Sequence, residues 1–281
     1  MSPVITLTTD FGIDDAYVAV MKGVILSINP EAKIIDITHS IEPQNIYQAA
    51  FILHTAYHYF PKQTVHLAIV DPGVGSERQG IILKTSSTLF VAPDNGILSY
   101  VVAASSLLKE SSIEYPQRLR EVKLKKGFEA AAITDPRFWR HPVSSTFHGR
   151  DIFAPVAAGL SLGISPYEFG EKINSLHVFP ILRPSLDIQG NLIGHVLWVD
   201  HFGNLITNIK STDLPQKNII IAVAGRYIEG ISRYYEEEEG LVAIIGSSGY
   251  LEISLRGGNA CDFLDMTLGD EVMVMPVKEN E

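Results

Sequence analysis

The chain has 281 residues, 46% apolar and 19% charged, which is enough to bury a sizeable core and too apolar for intrinsic disorder. Its formal charge of −10, from 22 basic and 32 acidic residues, argues against a nucleic-acid or anionic-membrane surface, both of which call for clustered Lys and Arg. The single cysteine, Cys261, excludes an intramolecular disulfide framework and an all-cysteine zinc site. No apolar run reaches the ~18 residues of a membrane span, and strand-like residues begin by Val4 in place of a signal-peptide core, so a cytoplasmic protein is expected.

Taken in chain order, the first 180 residues alternate strand and helix patterns. The β-branched run at 4–9 (VITLTT) predicts a strand that ends in Asp10-Phe11-Gly12, and residues 16–29 follow as a helix. A second strand is predicted at 33–38 (KIIDIT), then a helix at 45–60 with Ile46, Ala49, Ala50, Leu53 and Tyr57 at helical spacing. A third strand at 64–70 ends at Asp71-Pro72-Gly73, and short strands at 80–84 and 88–92 stop at the turn Pro93-Asp94-Asn95-Gly96. This order predicts an α/β domain over 1–180 with a Rossmann-like, parallel-rich sheet. Pro180, Pro184 and Gly190 read as a linker. Beyond it, Val- and Ile-rich runs at 194–199, 205–209, 218–223, 241–245, 250–255 and 271–277 predict a smaller all-β barrel over 190–281. The acidic run Glu236–Glu239 reads as a solvated turn, and Trp139 and Trp198 as core residues.

Ligands of an open α/β sheet sit beyond the C-terminal ends of its parallel strands, where Asp10, His39 and Asp71 fall. A carboxylate at such an end can accept two hydrogen bonds from a vicinal diol, and Asp10 can equally cap the following helix. His39 reads more simply as packing or turn capping. In Asp71-Pro72-Gly73-Val74-Gly75-Ser76-Glu77-Arg78 the glycines allow close approach of backbone to ligand, and Asp71 and Arg78 can pair across the bend. His148 precedes an apolar helix at 152–162, where it can act as a general base, donate a hydrogen bond, or cap the helix. His54 and His58 have the spacing of a zinc pair, but Thr55 stands where a zinc protease has Glu, so no metal is expected. In the second half, Asp200-His201-Phe202-Gly203-Asn204 combines a charge, an aromatic face and an amide, the means of holding a purine or an amino acid, and is also ordinary turn chemistry.

Six blocks occur in register: TTDFG at 8–12, DPGVGSER at 71–78, APDNG at 92–96, STFHGRDIFAP at 145–155, DHFGN at 200–204 and SSGYLEI at 247–253. Together they resemble the S-adenosyl-L-methionine hydroxide adenosyltransferases, relatives of the fluorinase and chlorinase, over nearly the whole chain. The resemblance implies attack of water or hydroxide on the ribose 5′ carbon of S-adenosylmethionine, giving adenosine and L-methionine without a cofactor. It implies a homotrimer whose sites combine the N-terminal domain of one subunit with the C-terminal domain of its neighbour. It assigns catalysis to Asp71, Arg78 and His148, the ribose diol to Asp10, the amino-acid portion to Asp200, purine contacts to Phe202 and Asn204, and the methionine carboxylate to Ser247 and Ser248. Phe11, Gln44, Thr146, Phe147 and Gly149 complete the implied substrate contacts.

Where the fluorinase pattern has Tyr, Tyr, Ser and Trp, this chain has Asp71, His148, Gly149 and Gln44. Those changes add ionisable groups in place of a halide pocket, so water is the expected nucleophile. At Ser248 the fluorinase pattern has Arg. A halide-using adenosyl transferase and a nucleoside-binding sensor with little turnover are the rival readings.

Overall fold

The computed structural model describes residues 2–103, 118–216, 218–237 and 239–277. The chain forms two compact units, Met1–Ile181 and Leu182–Glu281. Among the described residues no helix is long and apolar enough to cross a membrane.

The first unit contains β1 (Val4–Thr9), β2 (Lys33–Thr38), β3 (Val65–Ile69), β4 (Gly80–Lys84), β5 (Leu89–Pro93), β6 (Arg120–Lys123), β7 (Glu129–Ala132), β8 (Lys172–Ile173) and β9 (Ser175–Val178). Seven of these make one sheet in the order β2-β1-β3-β5-β4-β7-β8, while β6 pairs with β9 alone. The pairings from β2 through β5 are parallel, and the three beyond β5 are antiparallel. The expected parallel-rich sheet is therefore half right. Only residues 85–88 join β4 to β5, closed by a Thr85 N–H to Thr88 carbonyl hydrogen bond of 2.9 Å, and so short a connection can only return the chain antiparallel.

Helices α1 (Tyr17–Ile28), α2 (Ile46–Ala56), α3 (Ser99–Ala103) and α4 (Ala154–Ser161) cover the sheet. Met21 and Ile25 of α1 join Val156 and Ala157 of α4 in a core with Ile5, Leu7 and Leu67. Ala49 and Leu53 of α2 and Val101 of α3 pack with Ala68, Leu83 and Phe90 in a second core. Leu67 and Ala68 are consecutive on β3 and enter different cores, as strand alternation requires of a sheet covered on both faces. The predicted helix at 45–60 begins with an Asn45 side-chain cap and gives way after Ala56 to a 3-10 turn, Tyr57–Tyr59, ahead of Pro61. Trp139 is half-buried against the first core.

The second unit contains β10 (Ser185–Leu186), β11 (Leu192–Val199), β12 (Leu205–Lys210), β13 (Ile219–Val223), β14 (Arg226–Glu229), β15 (Leu241–Ile245), β16 (Tyr250–Leu255), α5 (Ala260–Leu264) and β17 (Glu271–Pro276). The sheet runs β14-β13-β17-β11-β12-β16-β15, with β10 added to β11. Residues just after β14 reach β15 through a single bridge, Ser232 to Ile244, which makes the sheet a nearly closed barrel. Its core includes Val196, Leu205, Ile221, Leu251, Ile253 and Val272. Residues 185–186, read above as linker, pair with Leu192 and Ile193 instead. Trp198 is only half-buried, outside that core. Glu236, Glu237 and Glu239 are exposed, and residue 238 lies outside the described residues.

Candidate active site

Three loops at the ends of parallel strands, together with the loop 144–148, build the candidate site of the first unit. After β3, the segment 71–78 is folded on itself by Val74 N–H to Asp71 carbonyl (3.2 Å) and Ser76 N–H to Gly73 carbonyl (3.0 Å) hydrogen bonds. Asn95 of the following turn donates to the Val70 carbonyl at 2.8 Å and fixes the start of the loop. Gly75 has φ +78°, and a Cβ there would lie 2.6 Å from the Ser145 carbonyl oxygen, so only glycine lets loop 71–78 meet loop 144–148.

That approach brings Asp71, Arg78 and His148 together. The Arg78 Nε donates to both Asp71 carboxylate oxygens, at 2.9 and 3.0 Å, and Nη2 donates to Oδ2 as well. Nη2 also lies 3.0 Å from His148 Nδ1. The Asp71 side chain is 5% exposed and that of Arg78 12%, and the guanidinium rests 5.2 Å over the Phe153 ring. A guanidinium only donates, so His148 Nδ1 is an acceptor and the proton of the neutral ring sits on Nε2. Burial, and after it the charge of Arg78, lowers the His148 pKa below the ordinary imidazole value, against the opposing pull of Asp71 and Asp151. The ring is thus held neutral and presents an N–H.

The sequence predicts a helix from 152, but its first turn is a π-helix, Gly149–Phe153, with Ala154 N–H bonded to the Gly149 carbonyl. Asp151, quoted above without a role, is wholly buried there. It accepts from Arg150 at 2.7 and 2.8 Å, from Ser144 N–H at 2.9 Å and from Arg140 at 3.4 Å. Burial alone would raise its carboxyl, yet the hydrogen bonds from Arg150 and Ser144 outweigh burial and hold it below the ordinary range. Asp151 ties down both ends of the loop that carries His148. Phe153, under Arg78, is a second residue of the candidate site that the sequence reading left unassigned.

Asp10 does not cap α1, whose cap position is Ala16 with no side-chain bond. Its Oδ2 accepts instead from the Gln44 N–H at 2.8 Å, in a turn where Gln44 has φ +68°. Two implied substrate residues are therefore in contact. Phe11 and Phe147 meet edge to face at 6.0 Å, with Tyr17 5.1 Å from Phe147. A Cβ on Gly149 would sit 3.3 Å from Phe147 and 3.4 Å from Phe11. Thr146 is exposed, its hydroxyl 3.2 Å from that of Ser144. His39 is buried, bonded to Thr9 at 2.8 Å and 3.0 Å from Asp36, as the packing reading has it. The His54 and His58 rings lie 5.5 Å apart, with His54 stacked on Tyr100. Among the described residues no group of three metal-ligating side chains converges.

In the second unit, Asp200 organises its own turn. Oδ1 accepts from the Phe202 and Asn204 N–H groups at 2.9 Å each, and Oδ2 from the Asn204 side chain at 2.8 Å. Gly203 (φ +83°) lies so close to Asn259, the cap of α5, that a Cβ would come within 2.1 Å of its amide. Phe202 is exposed, as are Ser247 and Ser248 in the β15–β16 turn.

The SAM hydroxide adenosyltransferase N-terminal domain matches residues 5–170 and the corresponding C-terminal domain residues 194–273. The chain belongs to the SAM hydroxide adenosyltransferase family. A relative from Methanocaldococcus jannaschii, named (R)-S-adenosyl-L-methionine hydrolase, is 36% identical over 97% of this chain and 95% of its own. The crystal structure of an uncharacterized conserved protein from Thermotoga maritima superposes with a TM-score of 0.82 at 35% identity, covering 96% of this chain and 99% of that one. A fluorinase from Nocardia brasiliensis is more distant, 26% identical over 77% of this chain and 74% of its own.

Proposed function

We propose that the protein hydrolyses S-adenosyl-L-methionine to adenosine and L-methionine. The observation that carries this reading is the buried Asp71–Arg78–His148 contact in a chain whose near full-length relatives bear the name of that hydrolase. Water attacks the ribose 5′ carbon, the new C–O bond forms as the C–S bond breaks, and the sulfonium electron pair leaves on methionine as a neutral thioether. One proton is released, and the leaving group needs no acid. The protein must hold the water ~3–3.5 Å from the carbon and take its proton as attack proceeds.

Asp71 suits the base and His148 does not, because the Nδ1 lone pair of His148 already accepts from Arg78. The Nε2–H of His148 instead holds the attacking oxygen, and Arg78 pairs with Asp71 and aims it. Asp10 binds the ribose diol with Phe11, Gln44, Thr146, Phe147 and Gly149 around it. Asp200, Ser247 and Ser248 bind the amino-acid end, and Phe202 and Asn204 the purine. The reading includes a cytoplasmic homotrimer in which the first unit of one copy and the second unit of another share a substrate, with no cofactor and no nucleic-acid or membrane partner.

Incubation in oxygen-18 water, with the nucleosides resolved by chromatography and mass spectrometry, tests it. Adenosine carrying the heavy oxygen, in equal amount with methionine and indifferent to added chloride, is expected. Because the relatives' name carries the (R) descriptor, both sulfonium epimers are supplied separately. A chlorinated deoxyadenosine, or intact substrate retained on the protein, would move the reading to the halide-using or the sensor alternative.

A further inference from the structure

β2 is an edge strand of its sheet, paired on one side only, with β1. Its register slips before it ends: Leu7 faces Asp36 but Thr8 faces Thr38, which leaves Ile37 between the pairs. The ladder therefore does not by itself set how the turn after β1, with Asp10, faces the turn after β2, with Gln44. The residue that spans the two strand ends is His39, directly after β2 and 6% exposed.

His39 Nδ1 lies 2.8 Å from the hydroxyl of Thr9, the last residue of β1. Thr9 Oγ1 also accepts from the Phe11 N–H at 3.3 Å, and the His39 carbonyl accepts from the Gly12 N–H at 2.8 Å. The residues on either side of Asp10 are thus tied to His39, directly or through Thr9. The other ring nitrogen, Nε2, lies 3.0 Å from Asp36 Oδ1, and Lys22 of α1 donates to the second Asp36 oxygen. β1, α1 and β2 therefore close a circuit through His39 around the loop that carries Asp10. Across that loop the Gln44 N–H meets Asp10 Oδ2 at 2.8 Å, and Oδ1 accepts no hydrogen bond from the described residues.

We infer that His39 is a positioning residue that sets the angle at which Asp10 meets the ribose diol, and with it the preference for a ribonucleoside over a 2′-deoxynucleoside. The inference deepens the hydrolase reading and rests on its assignment of the diol to Asp10. A carboxylate that accepts from two vicinal hydroxyls must have both within hydrogen-bond reach, so a small rotation of the loop loses one of the two bonds. His39 needs no contact with substrate to control that rotation. A side chain that only filled space would have no use for a polar partner at each ring nitrogen.

The test is calorimetric titration of adenosine and of 2′-deoxyadenosine into wild type, His39→Leu and His39→Asn, which requires no turnover. Leucine removes both polar atoms, and asparagine returns one near the place of Nδ1. Wild type is expected to bind adenosine about tenfold tighter than 2′-deoxyadenosine. His39→Leu should cut that ratio below about threefold, chiefly by weakening adenosine, and His39→Asn should restore it. Thr9→Val breaks the same contact from β1 and should narrow the ratio likewise, which decides the matter if His39→Leu does not fold. A ratio that stays at the wild-type value in the Leu and Val variants, through no loss or an equal loss on both nucleosides, overturns the inference in favour of packing. A wild type that does not tell the two nucleosides apart removes the Asp10 assignment and the inference with it. Absence of hydrolysis with the ratios as expected removes the hydrolase reading alone and supports His39 in its role.

Discussion

The buried carboxylates of the two units are treated in opposite ways. In the first, Asp71 meets Arg78, and Asp151 meets Arg150 and Arg140. In the second, Glu252 has a single phenol for company and the charge of Asp200 for a neighbour. Asp151 is pulled below the ordinary carboxylate range, and Glu252 is pushed above it. Both shifts follow from whether the fold supplies a cation. A compensated group is complete once the chain folds, and so can hold a nucleophile in fixed geometry.

The contrast is sharpest at Arg78. Arg78→Met should strand the Asp71 charge in a nearly dry site, costing ~3–5 kcal/mol of stability in addition to most turnover. Denaturant melts together with the nucleoside assay check it; a stable variant would show that Asp71 does not depend on its partner. Asp71→Asn keeps the shape and removes the proposed base, so turnover should fall ~10²–10⁴-fold while adenosine affinity, read by calorimetry, stays put. If adenosine affinity fell instead, Asp71 would belong to binding.

Asp151→Asn should have a smaller effect, about 1–2 kcal/mol, because Arg150 and Arg140 are partly exposed and can turn to water. The sign with pH is fixed. The folded pKa of Asp151 is depressed, so its contribution is present above the unfolded value of about 3.9 and fades as pH falls through the folded one. Melting temperatures of wild type and variant should therefore converge in acid. The mildest effect is on the rate profile. His148 must be neutral to accept from Arg78, and its pKa is lowered, so the acid limb of kcat/KM attributable to it should lie below about 6.5. A limb above that value would mean that the ring works as a cation.

Much of the first unit was legible because its leading strands are β-branched runs closed by Asp10, Thr38-His39 and Asp71, signals that survive without tertiary context. The antiparallel half was not. β7 is Glu-Ala-Ala-Ala and β8 only two residues, so neither has a period to read. Asp10 was found at the right strand end, but its bond to the Gln44 backbone depends on a chain reversal 34 residues away. Asp151 and Glu252 stood in quoted blocks, and nothing in their spacing tells a buried carboxylate from an exposed one. Burial is a property of the neighbours, and only the fold names those.

The π-helical turn at Gly149–Phe153 has one consequence for comparing chains. Such a turn is an α-helix carrying one surplus residue. Removing any one residue between 149 and 153 would let the helix close normally and would rotate everything upstream by about 100° relative to α4. His148 would then leave Arg78 although every named side chain survived. In aligning relatives, the length of this turn is as diagnostic as the identity of its residues. A chain that keeps the His and the Asp but lacks the extra residue has lost the phase that joins them.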